Sequence, residues 1–481
     1  LYPICLADKV DNNQIKGENS FYHHKPSLLL IQTNTDFIMT NNFSMPKTGI
    51  DKKELIEQLK QSKSKDVDWR HGKGWSLVYY AGDEHTDFIK QVYNLFFSEN
   101  GAGPALFPSL KKMEAEVVAM VLDLLGGSGS EVGAMTSGGT ESILLSMKAY
   151  RDYARDKKPE IKNPEIIIPE SVHPAFLKAA AYFDINTVYV SLDEDLKMDV
   201  GKIRQAITDQ TICIVTSAPS FSHGTVDPIA EIGQLALEHD IGLHVDACLG
   251  SFLLPFVKKL GYNITDFDFS VPGVTSISAD LHKNGYTAKG SSVALYKTRE
   301  LRRYQYYVDV NWPGGLYASP TMQGTRPGGA IASAWAAMMA LGEDGYLNLA
   351  KRAMDVTKAL IEGIEIHPDL YILGNPEMNV FSFSSNVIDI NSLGQRLESM
   401  GWFLNRQNNP KALHMIATPN HEQSVEPFLA DLKQALKEEK ITPFDDGENL
   451  SAVLYGGAMK SNDSDDPREI AMSRLDDVYS I

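Results

Sequence analysis

Cysteine is scarce in this sequence: Cys5, Cys213 and Cys248 are the only three in 481 residues. None is spaced as a zinc-ligand pair or as part of a disulfide framework, so neither device is expected to organise the fold, and a reducing, cytoplasmic-type compartment is the default. Long apolar runs are missing as well. The run at 28–31 breaks off at Gln32, Asn34 and Asp36, far short of the roughly 18 residues that a membrane-spanning helix needs. No charged start followed by an apolar stretch and a small-residue cleavage site stands near Leu1. The expectation of a soluble protein without a membrane span covers these residues alone, and it leaves an upstream anchor or a peripheral membrane contact undecided. Positive charge is in the minority, with 45 Lys and Arg against 62 Asp and Glu and a formal net charge of −17. Such a surface repels nucleic acid and anionic membranes as a whole, so any phosphate site must be local.

What is present has an ordinary globular composition, 43% apolar and 22% charged. The length suggests about three units, or one large domain with satellites. Residues 1–106 read as a polar N-terminal arm and helical segment, in which 51–65 is a charged helix candidate with Leu55, Ile56 and Leu59 on one side. From 107 to 345, amphipathic patterns alternate with short β-branched runs at 166–168, 187–190, 212–217, 242–245, 274–278 and 292–295. Helix candidates lie between them at 143–155, 174–183 and 229–239, the last opening after Asp227-Pro228, where Asp can cap and Pro suits a first turn. This alternation predicts βαβ units and a large α/β domain with a mainly parallel sheet. Residues 346–481 read as a smaller α+β domain, with strands at 380–383 and 415–418.

The sharpest local feature is Ser278-Ala279-Asp280-Leu281-His282-Lys283-Asn284, which puts a lysine just past a predicted buried strand, where the pockets of open α/β sheets lie. A lone loop lysine is ordinarily a solvated cation. An amine that forms a Schiff base has to be partly desolvated so that its pKa falls toward neutrality. In His244-Val245-Asp246-Ala247-Cys248 an acid follows an apolar strand; Asp246 can hold a pyridinium nitrogen protonated, or it can simply cap a turn. Ser137-Gly138-Gly139-Thr140, ahead of the 143–155 helix, fits an anion site of backbone N–H groups and equally, with Glu141, a capping box. It lacks the lysine of a nucleotide-binding P-loop. His173, after another strand, can lie flat against a pyridine ring or serve as a helix-start residue.

In the order phosphate turn, stacking His, acid, Lys, these pieces resemble the group II decarboxylase branch of fold-type I enzymes dependent on pyridoxal 5'-phosphate (PLP). Within that branch, 244–248, Ile277-Ser278-Ala279-Asp280 with His282-Lys283, Lys289-Gly290-Ser291-Ser292, 314–321 and Gly324-Thr325-Arg326-Pro327-Gly328-Gly329 are similar to the sphingosine-1-phosphate lyases. The likeness runs from about Trp75 to the C terminus, and its last block is the one that amino-acid decarboxylases do not share. It implies an aspartate-aminotransferase-like large domain with a seven-stranded-type sheet, PLP as cofactor, and Lys283 as the Schiff-base residue. It further implies Asp246 as pyridinium partner, His173 as ring stacker, Ser137, Gly138, Gly139 and Thr140 as phosphate cradle, Cys248 and His282 beside the cofactor, and Lys289 and Tyr80 near the substrate. The reaction implied is retro-aldol cleavage of a phosphorylated long-chain base, with Lys289, Tyr80, His282 and the cofactor phosphate as candidate bases. A homodimer with a shared site is implied too, in which the 317–329 loop crosses over and Thr325 reaches the partner's cofactor phosphate.

The sequence departs from the family at 100–104, where Asn-Pro-Leu-His-Pro is replaced by Asn100-Gly101-Ala102-Gly103-Pro104, so that Gly103 stands in the place of a histidine. The rival reading is an amino-acid decarboxylase on the same scaffold, against which the 314–329 block speaks. A non-catalytic descendant is expected to have lost Lys283 or Asp246, and both are present.

Overall fold

The structure, a computed structural model, describes residues 44–103, 105–441 and 467–479. Residues 1–43 of the expected arm, with Cys5 and the 28–31 run, and also Pro104 lie outside the described residues. The helices are α1 Lys52–Ser62, α2 Asp83–Leu95, α3 Pro108–Leu124, α4 Gly139–Lys157, α5 Ala175–Phe183, α6 Val200–Ala206, α7 Ile229–Glu238, α8 Leu254–Lys259, α9 Arg299–Arg303, α10 Gly328–Glu365, α11 Ile390–Ser399, α12 Val425–Ile441 and α13 Pro467–Tyr479. The strands are β1 Val132–Thr136, β2 Glu165–Pro169, β3 Asn186–Val190, β4 Thr211–Ser217, β5 Gly242–Asp246, β6 Ser276–Ala279, β7 Ser292–Tyr296, β8 Tyr307–Asp309, β9 Tyr317–Ser319, β10 Tyr371–Ile372, β11 Val380–Ser384, β12 Asn405–Asn408 and β13 Lys411–Ile416. Among the described residues no helix is long and apolar enough to cross a membrane.

Seven strands form one sheet in the order β1-β7-β6-β5-β4-β2-β3. Only β7 runs against its neighbours, pairing antiparallel with both β1 and β6, while β6-β5-β4-β2-β3 are parallel. The mainly parallel sheet is therefore as expected, and its strands are near-continuous apolar runs because helices cover both faces. The strand period of two divides each run between the faces. Ile167 and Ile214 point into the core made with α3, α7, α8 and α10; Ile166, Ile168, Cys213 and Val215 point the other way, into the core under α4 and α5.

A second, antiparallel sheet in the order β10-β11-β13-β12 packs against α11 and α12 around Phe381, Phe383, Leu413, Met415 and Phe428. α10 reaches it from the large sheet, with its helical geometry broken at Gly342 (φ 58°, ψ −174°). The third core also takes in Trp75, far away in sequence: its ring stacks on His421 at 4.3 Å, and its carbonyl accepts from the Ile416 N–H at 2.7 Å.

Several features differ from expectation, the β8–β9 pair among them. β1 was not foreseen because Val-Gly-Ala-Met-Thr carries little β-propensity; its pairing with β7 supplies what its side chains do not. The strand expected at 415–418 ends at Ile416, because Thr418 opens a 3-10 turn closed by a reciprocal cap with His421. Asp227 does not cap α7, whose N-cap is Pro228 without a side-chain bond. Instead one oxygen of its buried carboxylate accepts from the Met198 N–H at 2.9 Å and the other from the Ser217 N–H at 2.8 Å. Burial lifts its pKa to about 6, while these two bonds pull the other way.

Asp227 thus satisfies two buried backbone donors at the end of β4. Asp227→Ala leaves both unpaired and is expected to cost about 2–4 kcal/mol, read as a lowered urea midpoint at neutral pH. A midpoint equal to wild type refutes this role.

Candidate active site

Adjacent parallel strands in register bring their carboxyl ends to one edge: Ser217 pairs with Asp246, and Asp246 with Ser278. The turn after β1 opens at the same edge, where the chain is free to approach a ligand. A cavity of about 420 Å³ results, lined by Leu77, the 137–140 turn, His173, Phe221, Asp246, Cys248, Asp280, His282 and Lys283. The residues drawn from four separate sequence stretches, 137–140, 173, 246–248 and 282–283, therefore meet in one place.

The centre of the cavity is an ion pair. Lys283 Nζ lies 3.0 Å from Asp280 Oδ2, and Asp280 is 2% exposed. Burial pulls the Lys283 pKa down, but Asp280 and the weaker fields of its neighbours outweigh it and hold the amine well above its ordinary value. This corrects the expectation that desolvation alone takes that amine toward neutrality. Burial works against the Asp280 carboxylate, yet Lys283 and His282 keep its pKa below the usual range. The other Asp280 oxygen, Oδ1, is buried without a hydrogen-bond partner.

Asp246, 8% exposed, accepts at Oδ1 from the Cys248 N–H (3.1 Å) and from the Ser278 hydroxyl (3.2 Å). These bonds fix the carboxylate and orient it toward the cavity it lines. His173 Nδ1 accepts from the Ala175 N–H at 3.2 Å, which leaves Nε2 as the protonated nitrogen of the neutral ring. Burial lowers its pKa, opposed by Asp246 and reinforced by Lys283. His282 is held through both ends: its N–H donates to Ser291 O at 3.1 Å, and its Nδ1 accepts from the Ser291 N–H at 3.2 Å. Its Nε2 then faces Asp280 Oδ2 at 3.7 Å.

α4 begins at this cavity with Gly138 as N-cap and no side-chain cap. The first N–H groups of a helix have no intrahelical partner and suit an anion. The turn must be glycine. A Cβ on Gly139 would lie 2.8 Å from Asp280 Oδ2 and 2.9 Å from Cys248 Sγ. The alternative capping box does not form, because Gly138 is the N-cap; Glu141 Oε2 instead accepts from the Ser137 N–H (2.6 Å) and hydroxyl (2.7 Å). Its Oε1 accepts from the Met322 N–H at 2.7 Å and so ties the 317–329 loop to the turn. The backbone donors of Gly138, Gly139 and Thr140 remain for a phosphate. A small aromatic phosphate with a ring nitrogen fits this donor set: carboxylate, flanking imidazole, amine and helix N-terminus face one cavity.

Three expected site residues stand apart from it. Lys289 Nζ donates to the carbonyls of Leu77 and His282, each at 3.2 Å, at the border of the cavity. Burial and then Lys283 lower its pKa to about 8, with Asp280 opposing. Tyr80 lines a neighbouring cavity, with its ring edge-on to Trp69 at 5.6 Å and its hydroxyl 3.4 Å from Arg70. Thr325 is exposed and meets Asn100 at 3.5 Å. Conversely, Asp280, Glu141, Phe221 and Leu77 line the cavity without having been assigned a role at it. Asp280 was within reach of the sequence, three residues before Lys283; Leu77 and Phe221 carry no such mark.

Residues 52–386 match the pyridoxal-dependent decarboxylase conserved domain. The sphingosine-1-phosphate lyase of Arabidopsis thaliana is 45% identical over 435 residues, covering 89% of this chain and 79% of that protein. Sphingosine-1-phosphate lyase 1 of Rattus norvegicus is 40% identical over 99% of this chain and 82% of its own length. Among solved structures, a sphingosine-1-phosphate lyase of Burkholderia pseudomallei superposes with a TM-score of 0.80 at 37% identity, covering 85% of this chain and 95% of that one. With this extent of likeness laid over the same cavity, the chain belongs to the pyridoxal-dependent decarboxylase family and, within it, to the sphingosine-1-phosphate lyases.

Proposed function

We propose that the chain is a PLP-dependent carbon–carbon lyase that cleaves sphingosine 1-phosphate to phosphoethanolamine and a long-chain aldehyde. The observation that carries this reading is the convergence of Lys283, Asp246, His173 and the 137–140 turn on one cavity, in a chain of this family. When bound, PLP supplies an electrophilic carbonyl carbon and a cationic ring that draws in electrons. Lys283 would be the amine that carries it, Asp246 would keep its ring nitrogen protonated, His173 would pack on its ring, and the N–H groups of Gly138, Gly139 and Thr140 would hold its phosphate. Ser137 supports the turn through Glu141, and Cys248 fills the space beside Asp246 and Gly139.

Cleavage between the amine-bearing and hydroxyl-bearing carbons needs a base for the hydroxyl proton. The electron pair of the O–H bond forms the aldehyde, the carbon–carbon bond breaks, and the amine-bearing carbon is later reprotonated. Lys289 suits the base by its place at the border of the cavity, exposed to solvent and with its pKa lowered from the ordinary lysine value. His282 is a positioning residue, since its ring is clamped by Ser291 and its carbonyl accepts from Lys289. Tyr80 stands one cavity away.

The deciding assay offers purified protein sphingosine 1-phosphate, unphosphorylated sphingosine and a panel of amino acids. Aldehyde is expected from the phosphate alone, and Lys283→Ala is expected to abolish it. Carbon dioxide from an amino acid without aldehyde replaces this reading with the decarboxylase one.

Lys289→Arg keeps a positive charge at every assay pH but cannot take up a proton. We expect kcat to fall by about 10²–10⁴ with KM little changed, and the rise of wild-type kcat through about pH 8 to vanish. A raised KM with preserved kcat makes Lys289 a phosphate anchor instead.

The active unit is a homodimer. The β8–β9 hairpin exposes Tyr307, Val308, Val310, Trp312 and Leu316, apolar side chains that a second copy of the chain would cover, and Thr325 is exposed and so open to a partner's site. Sedimentation at assay concentration is expected to give the dimer mass; an active monomer overturns it.

A further inference from the structure

Asp280 is a buried carboxylate whose place in the reaction is not given by the roles assigned so far. It is 2% exposed, and its Oδ2 lies 3.0 Å from Lys283 Nζ. Its Oδ1 is buried without a hydrogen-bond partner, whereas the corresponding oxygen of Asp246 is engaged by the Cys248 N–H and the Ser278 hydroxyl. A Cβ on Gly139 would meet both Asp280 oxygens, at 2.8 and 3.0 Å, so this carboxylate sits directly behind the turn that suits a phosphate. Negative charge in that place is tolerable only while a cation stays beside it. His282, 3.7 Å away, is a poor one, because burial above all lowers its pKa. The cation is therefore the nitrogen of Lys283. The backbone that carries it is fixed on both sides: the Asn284 side-chain amide donates to Leu249 O at 2.8 Å, and the His282 ring accepts from the Ser291 N–H. Lys283 changes place by turning its side chain alone, with Asp280 three residues back in the same turn.

We propose that Asp280 is a positioning residue that receives the Lys283 amine each time substrate displaces it and keeps it there as an ammonium. The inference deepens the lyase reading and rests on its assignment of Lys283 as the cofactor-bearing amine. A substrate amine arrives protonated at neutral pH. When it replaces Lys283 on the cofactor's carbonyl carbon, one carbon–nitrogen bond forms and another breaks, and Lys283 takes up the proton that the incoming ammonium sheds. The groups facing Lys283 are Asp280, Cys248, Tyr79 and Asp246, with Lys289, His282 and His173 as its basic neighbours. Burial opposes the ammonium form, and Asp280 is the strongest influence sustaining it. A neutral amine would attack the same carbon again and send the substrate back unreacted; an ammonium cannot. It can instead give its proton to the amine-bearing carbon once the carbon–carbon bond has broken, and then, neutral again, displace the product. The proton that the base took from the carbinol hydroxyl leaves on the product amine, so protons balance over the cycle. Asp280 thus times the return of Lys283.

The test uses holoenzyme, wild type and Asp280→Asn, an exchange that keeps the shape and removes the charge. Phosphoethanolamine displaces Lys283 but has no free hydroxyl and reacts no further, so it holds the enzyme with the lysine released. Trace acetylation of that complex with acetic anhydride, read by peptide mass, measures how much of Lys283 is neutral at each pH. In wild type its labelling is expected to rise only above the range of ordinary lysines, about pH 10.4, and Asp280→Asn is expected to bring that rise down by roughly 1–3 pH units. The cofactor absorbance of resting holoenzyme, titrated with pH, is expected to shift in the same direction, because the nitrogen of Lys283 loses its counter-ion. With sphingosine 1-phosphate the variant should lose about 10²–10⁴ in kcat with KM little changed. A variant whose labelling and absorbance titration both equal wild type overturns the proposal. So does a wild-type Lys283 that acetylates at lower pH than exposed lysines, as burial alone would dictate, and that measurement stands even if Asp280→Asn does not fold. The absorbance titration needs no substrate, so it tests Asp280 even where wild type gives no aldehyde, an outcome that overturns the lyase reading instead.

Discussion

An ammonium and a carboxylate 3.0 Å apart, with the carboxylate almost wholly out of water, dictate what may surround them. A buried charge left without its partner is costly by several kcal/mol, so Lys283 and Asp280 have to be delivered together, and a tight turn after β6 does this by spacing them three residues apart. The same pair sets the neighbours. It excludes any side chain at Gly139. It draws His282 toward Asp280, and its positive end helps burial to depress the pKa of Lys289. A protein with a net charge of −17 thereby confines its cationic chemistry to a few ångströms, where low dielectric makes each charge count.

The segment from Trp69 to Gly82 is the second organising element. Trp75 is a core residue of the C-terminal sheet, Leu77 lines the cofactor cavity, and Tyr79 and Tyr80 line the cavity beyond it. Within six residues the chain joins the small sheet to both sides of the reaction site. The hydrogen bonds Phe403 N–H to Lys73 O and Ile416 N–H to Trp75 O make that join a backbone one. Its geometry therefore moves with β12 and β13 rather than with side-chain rotamers.

The parallel sheet was legible because strands buried on both faces must be apolar throughout, as Ile166-Ile167-Ile168 and Ile212 to Ser217 are. The cavity was legible because chemistry concentrates at strand ends: Asp246 ends β5, and His173 and Lys283 follow β2 and β6. The rest depends on contacts that leave no local pattern. β1 exists through its pairing with β7, Asp227 serves backbone donors at Met198 and Ser217 instead of its own helix, and Leu77 reaches the site only because Trp75 is anchored 340 residues downstream at Ile416–His421. The sign of the Lys283 shift was missed for the same kind of reason: burial is readable from an apolar context, while the geometry of Asp280 against the amine is not.

Gly103 marks where this chain departs from its family, and packing does not explain it. A Cβ at that position would meet Leu106 at 3.6 Å and Phe107 at 3.7 Å, which are ordinary contacts, so a Cβ is sterically admissible. Nor does a neighbour take over the charge. Arg326, the cation stitched to this segment, bonds Gly101 O at 2.8 Å and is neutralised by Glu114 at 2.6 Å. Asn100 is likewise engaged, its side-chain oxygen accepting from the Ala102 and Arg326 N–H groups. At the level of the Cβ, nothing steric demands glycine here, and the difference from the family is one of chemistry. Among the expected site residues, this leaves Lys289 as the cation at the border of the cofactor cavity, its Nζ bonded to the carbonyls of Leu77 and His282.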